Sequence, residues 1–445
     1  MATDGDSRQH KRSKGRCCNF LFLLFDQKKK KKITGLGVMG QHATATAGPS
    51  SSANNMQDTR LYKEIAASEG LLLLPAQLKE LGIFDYPELS LHSNPLDDNE
   101  EEGRTGRGGL QGLSSLRRLE ISGCPKLLAS YSSSSSSCYF PFPNSLEYLC
   151  LEGKVGTEAL VPLSNLSSLA TLILLDCDLR CEGLLSLITQ GHLTQLCCLS
   201  LPNVFVGSES SQLHDLDLPS RSSKLKELSL HIDDVDGFTA TPICSLLCSS
   251  LTKLEFYGDR QVECFTEEQE TPLLANSLEE IRFVGCDSLQ YLPARLHTLH
   301  NLKTLHLDFY SSQLRSLPDV LPSSLQKLSI QGCHGILSLP DPLPSSLQEL
   351  CIKNCSGIRP LPDRLPSSLQ ELVIKDCEKM QSLPKDGLPS SLQKLEISSC
   401  PAIRSLPKVD DLPSSLREID VILSGSEELI RQCRNLIGII PIVKA

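Results

Sequence analysis

The sequence predicts an α/β solenoid: a stack of coils, each giving one short strand to a parallel sheet and returning through irregular or 3₁₀ chain. Two observations carry this prediction. Nearly the same thirteen residues occur four times, as LPSSLQKLSIQGC at 321–333, LPSSLQELCIKNC at 343–355, LPSSLQELVIKDC at 365–377 and LPSSLQKLEISSC at 388–400. The frame they share, L-x-x-L-x-L-x-x-C, recurs in looser spelling along most of the 445 residues. A repeat spaced by roughly 20–30 residues marks an array of supersecondary units that cannot bury their apolar faces alone.

The frames can be followed in order. QLKELGIFDY, from Leu78, is an outlying first copy. SLRRLEISGC runs from Leu116 to Cys124, SLEYLCLEGK starts at Leu146, SLATLILLDC runs from Leu169 to Cys177, and QLCCLSLPNV starts at Leu196. KLKELSLHID from Leu225, SLTKLEFYGD from Leu251, SLEEIRFVGC from Leu278 to Cys286 and NLKTLHLDFY from Leu302 follow. The four near-identical copies come next, and a last frame reads Leu416, Ile419, Val421 with Ser424 in the final slot. That makes fourteen frames.

Each part of the frame has a physical reading. L-x-L is the period-2 signature of a short strand with one buried face. The x-x-C slot lies where the chain turns off the strand and backbone groups need an internal partner. Cys is small, readily buried and a weak hydrogen-bonding group. Cys124, Cys177, Cys286, Cys333, Cys355, Cys377 and Cys400 are therefore expected to form a structural ladder. Between frames, SLPDPLPSS, PLPDRLPSS and SLPKDGLPSS are too proline-rich for a continuous α-helix. They predict extended or 3₁₀ returns with Leu339, Leu361, Leu383 and Leu406 pointing inward. At a strand spacing of about 4.8 Å, fourteen coils make a spine of roughly 65 Å.

The predicted organisation is a disordered basic tail and linker over 1–70 and a solenoid over 71–445. A charged loop insertion falls near 92–110, a Ser-rich insertion near 130–143, and a C-terminal cap at 424–445. Ten Lys or Arg against three Asp give residues 1–32 a charge of +7, so the remaining chain carries −17 of the total −10. Such a body argues against nucleic-acid binding through the repeats, since phosphate contacts need a basic face.

Catalytic and cofactor chemistry finds little footing. Nineteen Cys include no C-x-x-C pair, and the ten His form no H-E-x-x-H. There is no G-x-S-x-G, and the acidic pairs Asp233–Asp234 and Glu267–Glu268 read as solvated loop charge. GLGVMG, with Gly35, Gly37 and Gly40, spells G-x-G-x-x-G, but a lysine run precedes it and QHATATAGPSSSANN follows. It lacks the strand and helix of a dinucleotide site and reads as linker. No enzyme activity, cofactor or metal is expected. CCNFLFLLF is too short to span a bilayer and has no clear cleavage site after it, so no membrane span is expected and the thiols should stay reduced in a cytoplasmic protein. HKRSKGR and QKKKKK read as a solvated tail, with nuclear import as the other open reading.

Strand alternation sends the x residues to the concave face. Ahead of the second Leu they read Arg118, Tyr148, Thr171, Cys198, Glu227, Lys253, Glu280, Thr304, Lys327, Glu349, Glu371, Lys394 and Glu418. Between the second and third apolar residues stand Glu120, Cys150, Ile173, Ser200, Ser229, Glu255, Arg282, His306, Ser329, Cys351, Val373, Glu396 and Asp420. After the third, the series includes Pro202, His231, Tyr257, Asp308, Lys353, Lys375 and Ile422. These columns change from copy to copy while the leucines do not, which suits a protein partner. The candidate partner-binding residues are Glu227, Glu255, Tyr257, Arg282, His306, Asp308, Lys327, Glu349, Lys353, Glu371, Lys375, Lys394 and Glu396, with Tyr257, Arg282 and His306 as the hot-spot group.

The frame is that of the leucine-rich repeat, and the spelling narrows the resemblance. LLLLPAQLKEL, GLQGLSSLRRLEISGCPKLL, CPAIRSLPK and the ending LPSSLREIDV…SEELIRQCRNLIGIIPIVKA resemble the C-terminal repeat region of plant, cereal-type, coiled-coil nucleotide-binding leucine-rich-repeat disease resistance proteins. The resemblance implies a leucine-rich-repeat horseshoe with strands on its concave face. It also implies recognition of pathogen effectors or guarded host proteins in plant defence. The family's G-x-x-x-x-G-K-[ST] phosphate loop is absent from the sequence, so nucleotide binding is not carried over. The expectation is a repeat-only relative or a truncated resistance protein. The alternative is a general leucine-rich-repeat scaffold or ubiquitin-ligase substrate adaptor.

Overall fold

The computed structural model describes residues 78–84, 110, 113–125, 142–153, 163, 166–177, 188, 192–199, 223–231, 235, 239, 246–247, 250–258, 262–273, 277–310, 313–359 and 361–445. The expected tail and linker over 1–70, GLGVMG, and nearly all of the two insertions near 92–110 and 130–143 lie outside the described residues.

Wherever a frame was read, the chain forms a strand of three to five residues. In chain order these are β1 (Glu80–Phe84), β2 (Arg118–Ser122), β3 (Tyr148–Glu152), β4 (Thr171–Leu175), β5 (Gln195–Leu199), β6 (Glu227–His231), β7 (Lys253–Tyr257) and β8 (Glu280–Val284). Then come β9 (Thr304–Asp308), β10 (Lys327–Gln331), β11 (Glu349–Lys353), β12 (Glu371–Lys375), β13 (Lys394–Ser398), β14 (Glu418–Asp420) and β15 (Ile442–Lys444). All join one parallel sheet in sequence order. Like slots face like slots: Leu328 pairs with Leu350, Leu350 with Leu372, and Leu372 with Leu395. A one-residue slip would turn every leucine to solvent, so burial pins the register. In β2 to β4 and β6 to β13 the two inward apolar residues of the strand and the first leucine ahead of it fill one continuous core. Fully burying such a side chain contributes about 1.5–3 kcal/mol, but only a neighbouring coil supplies the partner surface.

The returns complete the inner wall. Leu339, Leu361 and Leu383 are buried, and Leu406 packs partly buried against the core. The structure adds a further column: Ile336, Ile358, Met380 and Ile403, each three residues past the ladder Cys, are fully buried. Among the described residues, the short 3₁₀ segments Ala294–Thr298 and Val409–Asp411 lie in these returns.

One frame sits three residues away from its expected place. With Leu196 as the first leucine of its copy, the sequence predicts Cys198, Ser200 and Pro202 in the open columns. In the structure Leu193 takes that slot, Leu196 pairs with Leu172 and Leu228, and the open columns hold Gln195 and Cys197. Leu193, Leu196 and Leu199 are spaced by threes, so two frames overlap. The coil-start hydrogen bonds, Thr194 and Gln195 N–H to Ala170 O at 2.8 and 3.1 Å, select the earlier one. Ile422 also leaves its expected column: β14 ends at Asp420, and Ile422 is an exposed turn residue.

Two side-chain ladders tie successive coils. The Cys thiols of the expected ladder are buried, and six reach back to the carbonyl at the end of the preceding coil's buried strand row. These contacts run from Cys124 to Ile83 at 3.8 Å, Cys177 to Leu151 at 3.7 Å, Cys286 to Phe256 at 3.6 Å, Cys355 to Ile330 at 3.7 Å, Cys377 to Ile352 at 3.9 Å and Cys400 to Ile374 at 3.7 Å. Cys333, equally buried, contacts Gln331 O at 3.6 Å, and Ser424 fills the slot in the last frame. The second ladder explains why SSL is repeated. The Ser before the first Leu donates to the first-Leu carbonyl of the previous coil: Ser346 to Leu325 at 2.7 Å, Ser368 to Leu347 at 2.6 Å, Ser391 to Leu369 at 2.6 Å and Ser415 to Leu392 at 2.7 Å. Ser145, Ser277 and Ser324 make the same bond in earlier coils.

Helix appears in two places among the named elements. The helix α1 (Glu267–Leu273) opens with a reciprocal capping box, in which Thr266 N–H donates to Gln269 Oε1 at 2.7 Å and Gln269 N–H to Thr266 Oγ1 at 3.3 Å. Beside the exposed Glu267 and Glu268, Glu270 is buried and accepts from Ala294 N and Arg295 N at 2.8 and 2.9 Å. It satisfies the free N–H groups that start the Ala294–Thr298 turn of the next coil. The helix α2 (Glu427–Arg434), capped by Ser426 on Leu429 N, packs Leu429 and Cys433 into the end of the core. The chain then adds β15, which pairs in register with β14.

Candidate protein-recognition face

The same alternation that buries the leucines leaves three rows of side chains on the open face of the sheet. All thirteen candidate residues lie on strands β6 to β13 in these rows. The pairing register sets which of them meet.

Over β7 to β9 the structure brings Glu255, Arg282 and His306 side by side, since Glu255 pairs with Arg282 and Arg282 with His306. Tyr257 and Asp308 stand in the adjoining row, on either side of Val284. Arg282 is largely engaged: its Nη1 lies 3.4 Å from Glu255 and its Nε 3.2 Å from Glu280. The latter contact is off-line for a hydrogen bond. Lys253 bridges Glu227 and Glu280 at 3.8 Å each. Glu255 is buried and also accepts from Ser229 at 3.3 Å. The centre of the face is thus a self-compensated polar cluster.

Burial tunes this cluster. It pushes the Tyr257 phenol far above its ordinary range, with the neighbouring Glu255 adding to the shift. It holds the His306 imidazole down to about 3, reinforced by the positive charges of Arg282 and Lys327. His306 is therefore neutral at pH 7, with one ring nitrogen to donate and one to accept. Burial likewise raises Asp308, against the opposing pull of Arg282 and Lys353.

Over β10 to β13 the charges are more exposed. Lys327 pairs with Glu349, Lys375 with Glu396, and Lys394 with Glu371 at 3.3 Å and Glu396 at 3.9 Å. Burial acts to lower the Lys394 pKa, but Glu371 and Glu396 outweigh it and the net shift is upward. Half-exposed pairs of this kind contribute about 0–1 kcal/mol each, so a partner can exchange them at little cost. Cys351 lies in the middle row among Ser329, Val373 and Lys353, its thiol raised by burial.

The open face also holds residues that sequence reasoning did not select. In β2 and β3, Arg118 donates from Nε to Glu120 at 2.9 Å and sits 3.7 Å from the Tyr148 ring centroid. Glu418 and Asp420 are paired by Lys444, at 2.7 and 3.3 Å. Lys444 was invisible because its strand lacks the leucine frame. Lys253 and Glu280 stood in the columns, and their alternation with Glu227 across three strands was the available signal. Among the described residues, no group of three or more His, Cys, Asp or Glu side chains is placed to hold a metal, and no helix is long and apolar enough to cross a membrane.

No protein-family model matches the chain, and no curated protein matches it. Solved structures that share similarity include the leucine-rich repeat domain of the type III effector XopL, at 21% identity over 49% of this chain and 68% of that one, with a TM-score of 0.33. Toll in complex with Spätzle, from Drosophila, gives 16% identity over 69% of this chain and 40% of that chain, with a TM-score of 0.42. A leucine-rich repeat protein from Bacteroides thetaiotaomicron gives 12% identity over 76% and 51%, with a TM-score of 0.35. Fifteen in-register parallel strands, one per coil, over a leucine spine with irregular and 3₁₀ returns make the fold a leucine-rich-repeat solenoid.

Proposed function

We propose that the chain is a non-enzymatic protein-recognition module that reads its partner through the open face of the sheet. One observation carries the reading: the spine is nearly the same in every coil, whereas the open rows differ in every coil. The leucine spine closes on its own apolar side chains, and the mixed charge of the open rows confers specificity on an encounter. The resistance-protein spelling of LPSSLQELVIKDC and its neighbours supports a setting in plant defence. There the partner is a pathogen effector or a guarded host protein, met in the cytoplasm or, through the basic tail, in the nucleus. Whether the module acts alone or as part of a larger receptor leaves this surface chemistry unchanged.

The test places a photo-crosslinking amino acid at Ser229 or Ser329 on the open face, or at Lys385 on a return, in the full chain expressed in leaf tissue with and without pathogen challenge. The expected result is a discrete, competable protein adduct from at least one open-face position and none from Lys385. Equal adducts from Lys385, or none from either serine, would contradict the reading.

A further inference from the structure

The ion pairs of the open face leave one lysine over in the stretch from β10 to β13. Over β10 to β13 there are four cations, Lys327, Lys353, Lys375 and Lys394, against three carboxylates, Glu349, Glu371 and Glu396. Every one of those carboxylates is taken by Lys327, Lys375 or Lys394. Among the described residues, no carboxylate lies within ion-pairing distance of Lys353. Its register partner on β12 is Lys375, a like charge in the same row on the adjacent strand. Like charges set directly across a strand pair are destabilising. Beside this pair the middle row is uncharged, with Ser329, Cys351 and Val373 in successive strands. The nearest opposing charge in the Lys353 row is Asp308, two strands away beyond Gln331.

We propose that the β10–β12 stretch of the open face docks an acidic peptide segment of a partner protein, its carboxylates against Lys353 and Lys375 and its intervening side chains over Ser329, Cys351 and Val373. The inference rests on reading the open face as the partner surface, and it names the chemistry of that partner. An incoming carboxylate relieves the Lys353–Lys375 repulsion and gains a charge-assisted hydrogen bond. The neutral row lets the backbone approach without burying a charge unpaired. A nucleic acid fits less well: two adjacent cations do not track a phosphate ladder, and the surrounding body carries −17.

The experiment measures binding of fluorescein-labelled short peptides to the full chain by fluorescence polarisation at low and physiological salt. The probes alternate glycine with glutamate, glutamine or lysine. Expected are binding of the glutamate peptide alone, weakening with salt, a loss of about tenfold in Lys353→Glu, and near-full affinity in Lys353→Arg. Lys385→Glu, a charge reversal on a return, leaves binding unchanged, and unaltered melting of Lys353→Glu excludes misfolding. Equal binding of the lysine peptide, no binding of the glutamate peptide, an unaffected Lys353→Glu, or stronger competition by an RNA oligonucleotide or by anionic vesicles would overturn the proposal. A crosslink from Ser229 with none from Ser329 would sink this inference while leaving the protein-recognition reading intact, whereas failure at both serines removes both.

Discussion

Replacing Phe283 by Ala is expected to cost about 3–5 kcal/mol, the range for removing a fully buried aromatic side chain. Phe283 is the second buried residue of β8. Its ring stacks on Phe256 of β7, with centroids 5.2 Å apart and planes inclined 19°, and meets the edge of Phe265 at 6.1 Å. Phe265 also meets Phe256 edge-on at 5.4 Å. Leucine fills most of the spine, and this trio carries aromatic rings across two coils. A cavity here cannot collapse easily, because the strands on either side are held in register by their own ladders. Because each coil touches only its neighbours, the damage should be local. Amide exchange should accelerate across 250–310 and change little across 340–420. Phe283→Leu, which keeps most of the volume, should lose less than about 1.5 kcal/mol. A loss under about 1 kcal/mol for the Ala variant, or uniform acceleration along the chain, would count against this packing.

Gly332→Ala should destabilise by more than about 3 kcal/mol, which places it among severe single substitutions. Gly332 precedes the ladder Cys333, adopts φ 71°, and donates its N–H to Lys353 O at 3.0 Å. Left-handed φ alone does not explain the size of the effect. The same slot in the next three coils holds Asn354, Asp376 and Ser399, at φ 49°, 52° and 51°. Asn and Asp tolerate that region at modest cost, and a residue there without glycine costs of order 1 kcal/mol. The difference is space: a Cβ on Gly332 would lie 1.9 Å from the Phe309 carbonyl oxygen. That oxygen belongs to the backbone of the preceding coil and cannot swing away, so the two coils must part. Asp376→Ala, at the matching slot without a glycine-only contact, serves as control and should lose about 1 kcal/mol or less. Comparable denaturation midpoints for the two variants would show that the turn relaxes more freely than this geometry allows.

The strands were legible because a five-residue L-x-L segment with a fixed partner every coil leaves little freedom. Positions such as Leu350, Ile352 and Cys355 repeat the chemistry of Leu328, Ile330 and Cys333 without ambiguity. Legibility failed where the physics was not in the frame. Leu193, Leu196 and Leu199 offered two frames, and only the hydrogen bonds from Thr194 and Gln195 to Ala170 decided between them. Strand β15 has three residues and no leucine, so its pairing with β14 could not be read from periodicity. The serine ladder was written plainly in LPSSL, but a hydroxyl's acceptor is a matter of the neighbouring coil's position. Among the acidic residues of α1, Glu267 and Glu268 face solvent while Glu270 turns inward onto Ala294 and Arg295, a distinction set by helical phase. On the open face the columns were readable, but the engagement of Arg282 by Glu255 and Glu280, and the lone charge of Lys353, emerge only once the register is known.

The ladder cysteines line a closed inner wall while the open face stays accessible. Maleimide labelling of the native chain, followed by mass spectrometry, measures this directly. Exposed Cys264 should be labelled at once. Cys351 in the open middle row should follow more slowly, and Cys124, Cys177, Cys286, Cys333, Cys355, Cys377 and Cys400 should remain unlabelled until denaturant is added. Ladder thiols that react in native buffer as fast as Cys264 would mean that the coils do not close over a common core, and the recognition face built on them would fall with it.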